Sequence, residues 1–134
     1  MANEYFSAAI KTDPNAYLYY YYRGVAICEL KSDYKFAQAD FEKSLQLNPK
    51  HTDSHIYLGN ISFKFKEYQK ALDYNKKVLD LDPNYALAYF NSAMAYDAMK
   101  DYGNPCKFFK SAKKLGYDSA TEIADKDCAK AAKN

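Results

Sequence analysis

His51 and His55 stand four residues apart with Asp53 between them, a spacing that can put two imidazoles on one face of a helix and begin a metal site. His51, however, directly follows Pro49-Lys50 in what reads as a turn, and no third cluster of ligands accompanies the pair. The two histidines are therefore expected on the surface. The three cysteines, Cys28, Cys106 and Cys128, are odd in number and lack C-x-x-C spacing, which argues against both a zinc site and a disulfide framework. They read as small buried hydrophobes. A Cys106–Cys128 pairing is the alternative, because the two would lie on neighbouring terminal helices, and it would require an oxidising compartment. No H-E-x-x-H, G-x-S-x-G, glycine-rich phosphate loop or cysteine–histidine arrangement occurs. The chain thus offers no chemistry for an enzyme and no cofactor site.

What stands out instead is tyrosine, present fifteen times in 134 residues. The stretch AYLYYYYRGVAICEL, residues 16–30, puts four tyrosines in a row. Aromatic runs favour strands by propensity. The organisation of the whole chain overrules that preference.

The length is that of one domain, and 49% hydrophobic with 27% charged residues is ordinary for a globular chain. A net charge of +2, with lysines and acids spread along the chain, gives no electrostatic footprint for nucleic acid or an anionic membrane. No apolar run approaches the ~20 residues that cross a bilayer, and MANEYFSAAIKTDP lacks the basic start and apolar core of a signal peptide. The expectation is a soluble protein, with the cytoplasm favoured if the chain is complete.

The segments SDYKFAQADFEKSLQLNP (32–49), KEYQKALDYNKKVLDLDP (66–83) and KDYGNPCKFFKSAKKLGY (100–117) align without gaps. Tyr34, Tyr68 and Tyr102 are 34 residues apart, as are Ala37, Ala71 and Pro105, then Phe41, Asn75 and Phe109. Upstream, Gly24, Gly59 and Ala93 mark a common point, with one extra residue at the Lys31-Ser32 turn. An earlier half-unit, EYFSAAIKTDP, places Phe6, Ala9 and Pro14 35 residues before Phe41, Ser44 and Pro49. A repeat of this length implies stacked supersecondary units.

The units read as helical. In NYALAYFNSAMAYDAMK, Leu87, Phe90, Met94 and Ala98 form one stripe and Tyr89, Ala93 and Tyr96 another, as in a helix buried on two sides. Asn48-Pro49 and Asp82-Pro83 end helices, since a residue before proline avoids helical geometry. Gly24 and Gly59 cost about 1 kcal/mol each inside a helix relative to alanine, and make sense where a partner helix crosses closely. Asn104-Pro105 reads as an N-cap with proline at the first helical position, so the last paired helix is expected to begin late and be short. Ser119 with Glu122 three residues on reads as a capping box.

This pattern resembles the tetratricopeptide repeat family, two antiparallel helices per unit, over nearly the whole chain. Its residues are Tyr20, Gly24, Ile27, Ala37, Phe41 and Pro49 in the first unit, and Leu58, Gly59, Ala71 and Pro83 in the second. In the third they are Tyr89, Ala93, Tyr96, Phe109 and Ala112. The resemblance implies an all-α fold, a right-handed α-solenoid of antiparallel helix pairs. It is divided into an N-terminal half-repeat at 3–14, repeats at 16–49, 52–83 and 86–117, and a capping helix at 118–132. The unpaired half-unit either follows a lost upstream repeat or packs back as an N-terminal cap.

In the resembling family the first helices line a concave face that takes peptides. Carried over, that face falls on Leu18, Tyr21, Tyr22, Val25 and Cys28, on Asp53, Ile56, Tyr57, Asn60 and Phe63, and on Leu87, Phe90, Asn91, Met94 and Asp97. Contiguous apolar surface of this kind marks interaction sites, and Asn60 and Asn91 offer amides for a peptide backbone. Tyr20, Ile27 and Tyr89 are expected in the core; Tyr17 and Tyr19 are expected towards the half-unit or the rim. One branch of the family grips acidic chaperone tails with a cationic clamp. The matching positions here hold Tyr21, Val25, Tyr57, Leu87 and Asn91, with no cation, so an acidic chaperone C-terminal tail is not expected as partner. The sequence points to a non-catalytic module binding a peptide or partner helix with hydrophobic side chains at Leu18, Tyr21, Tyr22, Val25, Ile56, Asn60, Phe63, Phe90, Asn91 and Met94. The rival is self-association into a homo-oligomer through that groove or the N-terminal helix. Nucleic acid and membrane are not expected as partners.

Overall fold

The structure is a computed structural model that describes residues 2–101, 103–119, 125, 126 and 128–130. Its described elements are α1 (Ala2–Thr12), α2 (Tyr17–Glu29), α3 (Tyr34–Leu47), α4 (Thr52–Lys64), α5 (Tyr68–Leu81), α6 (Ala86–Ala98) and α7 (Gly103–Lys114), and no strand occurs among the described residues. The tyrosine run lies inside α2. The closing helix read over 118–132 lies mostly outside the described residues, as do Glu122 of its capping box and Tyr102 of the 34-residue register.

The helix ends recur with the repeat. Asp13, Asn48 and Asp82 each precede a proline, and each side chain accepts a hydrogen bond from the backbone two residues on, at Asn15 (3.1 Å), Lys50 (3.3 Å) and Asn84 (3.0 Å). These side chains close Asx turns, so proline stops the helix and its neighbour folds the chain back. A second device locks the same turns from above. Tyr20 donates its phenol to the carbonyl of Pro14 at 2.9 Å and Tyr89 to that of Pro83 at 2.9 Å, while Nε2 of His55 lies 3.0 Å from the carbonyl of Pro49. All three side chains stand six residues after their proline.

First helices end differently. Lys31, Lys66 and Lys100 take left-handed φ values of 51°, 62° and 60°, and Gly116 follows α7 at 93°. In each case the left-handed residue and its successor bond back to the last turn, as in Ser32 to Ile27, Glu67 to Ser62 and Asp101 to Tyr96, which satisfies carbonyls the helix leaves open. The extra residue of the first repeat is Ser32, inserted between Lys31 and the N-cap Asp33, whose carboxylate accepts from the backbone of Phe36 at 3.0 Å.

The chain divides into two compact units, Met1–Ile61 and Ser62–Asn134, with the division inside α4. In the first unit α2 packs against both α1 and α3. The half-unit therefore packs back on the repeat that follows it. Gly24 is the point of closest approach: a Cβ there would stand 2.9 Å from the ring of Phe41, which is wholly buried. Arg23, beside it, reaches across to α3 and lays its guanidinium on Asp40 with two contacts of 2.7 Å, while also donating to Ser7 of α1 at 3.2 Å. α3 meets α4 through the stacked rings of Phe41 and Tyr57 and a buried hydrogen bond from Ser54 to Ser44.

In the second unit α6 packs against α5 and α7 around Ala93, Phe109 and Ala112, with Tyr89, Phe90, Met94, Phe108 and Tyr117 at the margin. α7 corrects the expectation of a late start. It begins at Gly103, so Asn104 is helical rather than a cap, and its amide bonds Asp101 at 2.8 Å. Pro105 is tolerated because it lies in the first turn, where it forgoes only the bond that Ala37 and Ala71 make to the carbonyls of Asp33 and Glu67. A second correction concerns the cysteines. Cys106 and Cys128 are joined as a disulfide with Cα atoms 4.9 Å apart, and Cys28 alone is free and half-buried.

Candidate protein-binding face

On α2, Leu18, Tyr22 and Val25 fall at i, i+4 and i+7 and share one stripe. Leu18 is 37% and Tyr22 45% exposed, while Val25 is half-buried. Tyr22 is held by stacking on Phe6 of α1 at 5.6 Å. The corresponding stripe of α4 within the same unit is Asp53, Tyr57 and Asn60; Asp53 and Asn60 are exposed and Tyr57 is half-buried.

Beside this stripe lies an aromatic cluster. His51 meets Tyr21 edge-on at 4.7 Å and Tyr17 at 5.0 Å, and Tyr21 also approaches Tyr57 at 5.9 Å and Phe41 at 6.0 Å. Tyr17 thus turns towards His51. The expectation of two surface histidines is overturned. His55 is buried against Pro49, and His51 is half-buried with Nδ1 2.8 Å from the hydroxyl of Ser54.

Burial sets the charge state of the cluster. It pushes the His51 imidazole below its ordinary value, with Asp53 opposing and His55 adding to the effect. It pushes up the Tyr57 phenol, helped by Cys28, Glu29 and Asp53, and it pushes up the Cys28 thiol. Near neutral pH His51 and Tyr57 are therefore uncharged members of this aromatic surface. The His51–Ser54 contact has the spacing of a base and a nucleophile, but Ser54 is wholly buried and donates to Ser44, so no substrate reaches it. Cys28, kept as a thiol, is no activated nucleophile either. Among the described residues no group of three or more His, Cys, Asp or Glu side chains is placed to hold a metal.

The remaining sequence-predicted residues sort by depth. Tyr21, Ile56 and Phe90 are equivalent in the repeat and differ in depth: Tyr21 and Phe90 are half-buried, and Ile56 is buried. Ile56 is 5% exposed and so leaves the candidate face; Phe90 lies against Phe109 at 5.7 Å and Tyr117 at 4.7 Å. In the second unit Phe63 is half-buried with Tyr68 at its edge, 5.2 Å away. Asn91 and Met94 are half-buried on α6, in a stripe with Leu87. Sequence reasoning missed the part played by His51 and Tyr17. Its available signal was the repeat register itself, which places a histidine where the next α-helix begins beside the first turn of α2.

Helices ended by Asx-Pro turns and left-handed caps, repeated at 34 to 35 residues, define an all-helical tandem-repeat protein. Residues 52–85 match the tetratricopeptide repeat family. Human Tetratricopeptide repeat protein 6 is 25% identical over 128 residues, covering 72% of this chain and 25% of that protein. The Protein CTR9 homolog of Arabidopsis thaliana is 29% identical over 126 residues, covering 91% of this chain and 11% of that protein. The chain thus spans a quarter or less of these relatives. A crystal structure of MamA superposes with a TM-score of 0.79 at 18% identity, covering 98% of this chain and 87% of that one. MamA 41-end from Desulfovibrio magneticus RS-1 gives 0.80 at 23%, covering 98% and 82%. Residues 52–85 are thus a tetratricopeptide repeat, and the helix pairs on either side follow the same 34- to 35-residue spacing.

Proposed function

We propose that the protein is a non-catalytic interaction module, and that the α2 stripe of the first unit, with the aromatic cluster beside it, takes a peptide or partner helix through hydrophobic side chains. The observation that carries this reading is the pair Leu18 and Tyr22, left 37% and 45% exposed on one stripe beside a cluster in which His51 and Tyr57 are uncharged. Aromatic side chains bury about 150 Å² or more each at small entropic cost, which makes them efficient anchors. Asn60 on the α4 stripe supplies an amide suited to peptide backbone. Asn91 and Met94, with Phe63, would extend the same mode of contact on the second unit.

The test compares affinity capture by the natural chain with capture by Leu18→Ser/Tyr22→Ser, after circular dichroism shows equal helicity. Loss of specific partners from the variant supports the reading. Equal capture by both sinks it. If the natural chain captures only copies of itself, and sedimentation shows its mass rising with concentration until the two substitutions abolish the effect, the stripe serves self-association instead.

A further inference from the structure

The second unit holds a cleft of about 260 Å³ between α5 and α7, floored by α6. It lies on the side of α6 opposite Leu87, Asn91 and Met94, so it is not part of the face described above. Its origin is legible in the repeat. Ser92 of the cleft floor is equivalent to Arg23 in the first repeat and Leu58 in the second. Arg23 fills its place with a guanidinium spanning Ser7 and Asp40, and Leu58 is buried at 1% exposure. Serine is too short to do either. Its hydroxyl turns back to the carbonyl of Ala88 at 2.8 Å, and the space above it stays open.

The walls say what fits. Leu72, Leu79, Phe108 and Tyr96 give an apolar interior, with the last two rings stacked at 5.3 Å. Of the polar groups at the cleft, Ser92 is bonded to Ala88, and the carboxylate of Asp73 accepts from Gln69 at 3.1 Å. An occupant therefore needs no polar atoms inside. Pockets for whole small molecules run to about 300–1,000 Å³, so this one suits a single large side chain. Its surroundings are basic. Lys76 and Asp73 both line the cleft and offset one another, so the excess positive charge comes from α7, which carries Lys107, Lys110, Lys113 and Lys114 with no acidic residue. Lys107 and Lys114 are seven residues apart and share one exposed stripe of α7, about 100–120° round the helix from Phe108. Such a field favours carboxylates around the anchor.

We propose that this cleft is an anchor pocket for an acidic partner segment carrying one leucine- or phenylalanine-sized side chain between carboxylates. Charge complementarity with α7 selects the segment, and burial of its anchor over Ser92 holds it.

The test uses the full chain, labelled with ¹⁵N, and a five-residue peptide with phenylalanine at its centre and two acidic residues on each side. Titration should shift the amides of Leu72, Ser92, Tyr96 and Phe108. Changing the central phenylalanine to alanine should weaken binding by about tenfold or more, as for a buried anchor. Replacing the acids by glutamines, or Lys107 and Lys114 by glutamates, should weaken it by about tenfold as well. Ser92→Leu, which installs the residue of the second repeat, should abolish the shifts while raising the melting temperature, because it fills the cleft. The alanine peptide binding as well as the phenylalanine peptide overturns the proposal, and so does undiminished binding by Ser92→Leu. If indole alone shifts the same amides and the peptide does not, the site is a small-molecule cleft and the proposal fails. Shifts confined to α2 and α4 would fail it too, while leaving the face in the first unit intact.

Discussion

Arg23 and Asp40 form a two-pronged ion pair, Nε to Oδ2 and Nη2 to Oδ1 at 2.7 Å each, across the α2–α3 interface, with Asp40 only 3% exposed. Hydrogen bonding to Asp40 raises the guanidinium's pKa against the opposing effect of burial, and the Phe36 ring lies 4.9 Å below it. The pair ties three helices, because Ser7 of α1 accepts from the same guanidinium. Removing one member strands the other charge in the interface.

Asp40→Ala should therefore destabilise the protein by about 3 kcal/mol, the usual cost of breaking a buried pair. Arg23→Leu/Asp40→Tyr, which installs the residues of the second repeat, Leu58 and Tyr74, should recover most of that loss. Urea unfolding of the three proteins measures it. If the double variant is no better than Asp40→Ala, the second repeat's solution is not transferable.

Gly24→Ala should cost about 1–3 kcal/mol even though alanine is the better helix former. The added methyl would sit 2.9 Å from Phe41, a ring with no exposure and the stacked Tyr57 beyond it. The third repeat sets the contrast, because Ala93 and Phe109 share one buried cluster there. Ala93→Gly should accordingly also destabilise, by about 1 kcal/mol, through lost packing and added backbone freedom. Thermal denaturation of both variants checks the pair of signs.

The repeat and its helix ends were readable because they depend on local chemistry at fixed spacing: Asx-Pro turns, an extra Ser32, glycine where an aromatic crosses. Depth was not readable in the same way. Tyr21, Ile56 and Phe90 share a register position that a helical wheel gives to the open face, yet a wheel gives direction only, and the distance to the next helix leaves Ile56 buried and Tyr21 and Phe90 half-buried. The pairing of Arg23 with Asp40 leaves no trace in a single sequence, and that of Cys106 with Cys128 is legible only as an alternative, from the neighbouring terminal helices expected to carry the two. The turn locks are an intermediate case. Tyr20, His55 and Tyr89 each follow a proline by six residues and each ends in a polar group, a periodicity visible in the sequence that says nothing of which carbonyl the group meets.

The Cys106–Cys128 disulfide closes a separation of 22 residues, for which the chain-entropy account gives up to about 3 kcal/mol. Dithiothreitol should lower the melting temperature of the natural protein. Cys128→Ser should melt at that lower temperature with or without reductant. Hydrogen exchange should show the loss in α7 and not in α2 or α3, since the bridge lies within the second unit. A melting temperature unchanged by reductant would mean that the bridge adds nothing to stability.

His51 gives the first unit a pH dependence. Its folded pKa is pushed below the ordinary value of 6.5, chiefly by burial, so the unfolded chain takes up a proton at a higher pH than the folded one. Wherever the unfolded state binds more protons, stability falls as pH falls. The loss should begin as pH drops through 6.5 and be complete once it passes the folded value; above 6.5 His51 should contribute no slope. His51→Gln keeps a polar partner for Ser54 and removes the titration. The difference between urea midpoints at pH 7.5 and pH 5 should be smaller in the variant than in the natural protein. An equal or larger difference would show that the imidazole among Tyr17, Tyr21 and Ser54 is as well solvated when protonated as in the unfolded chain.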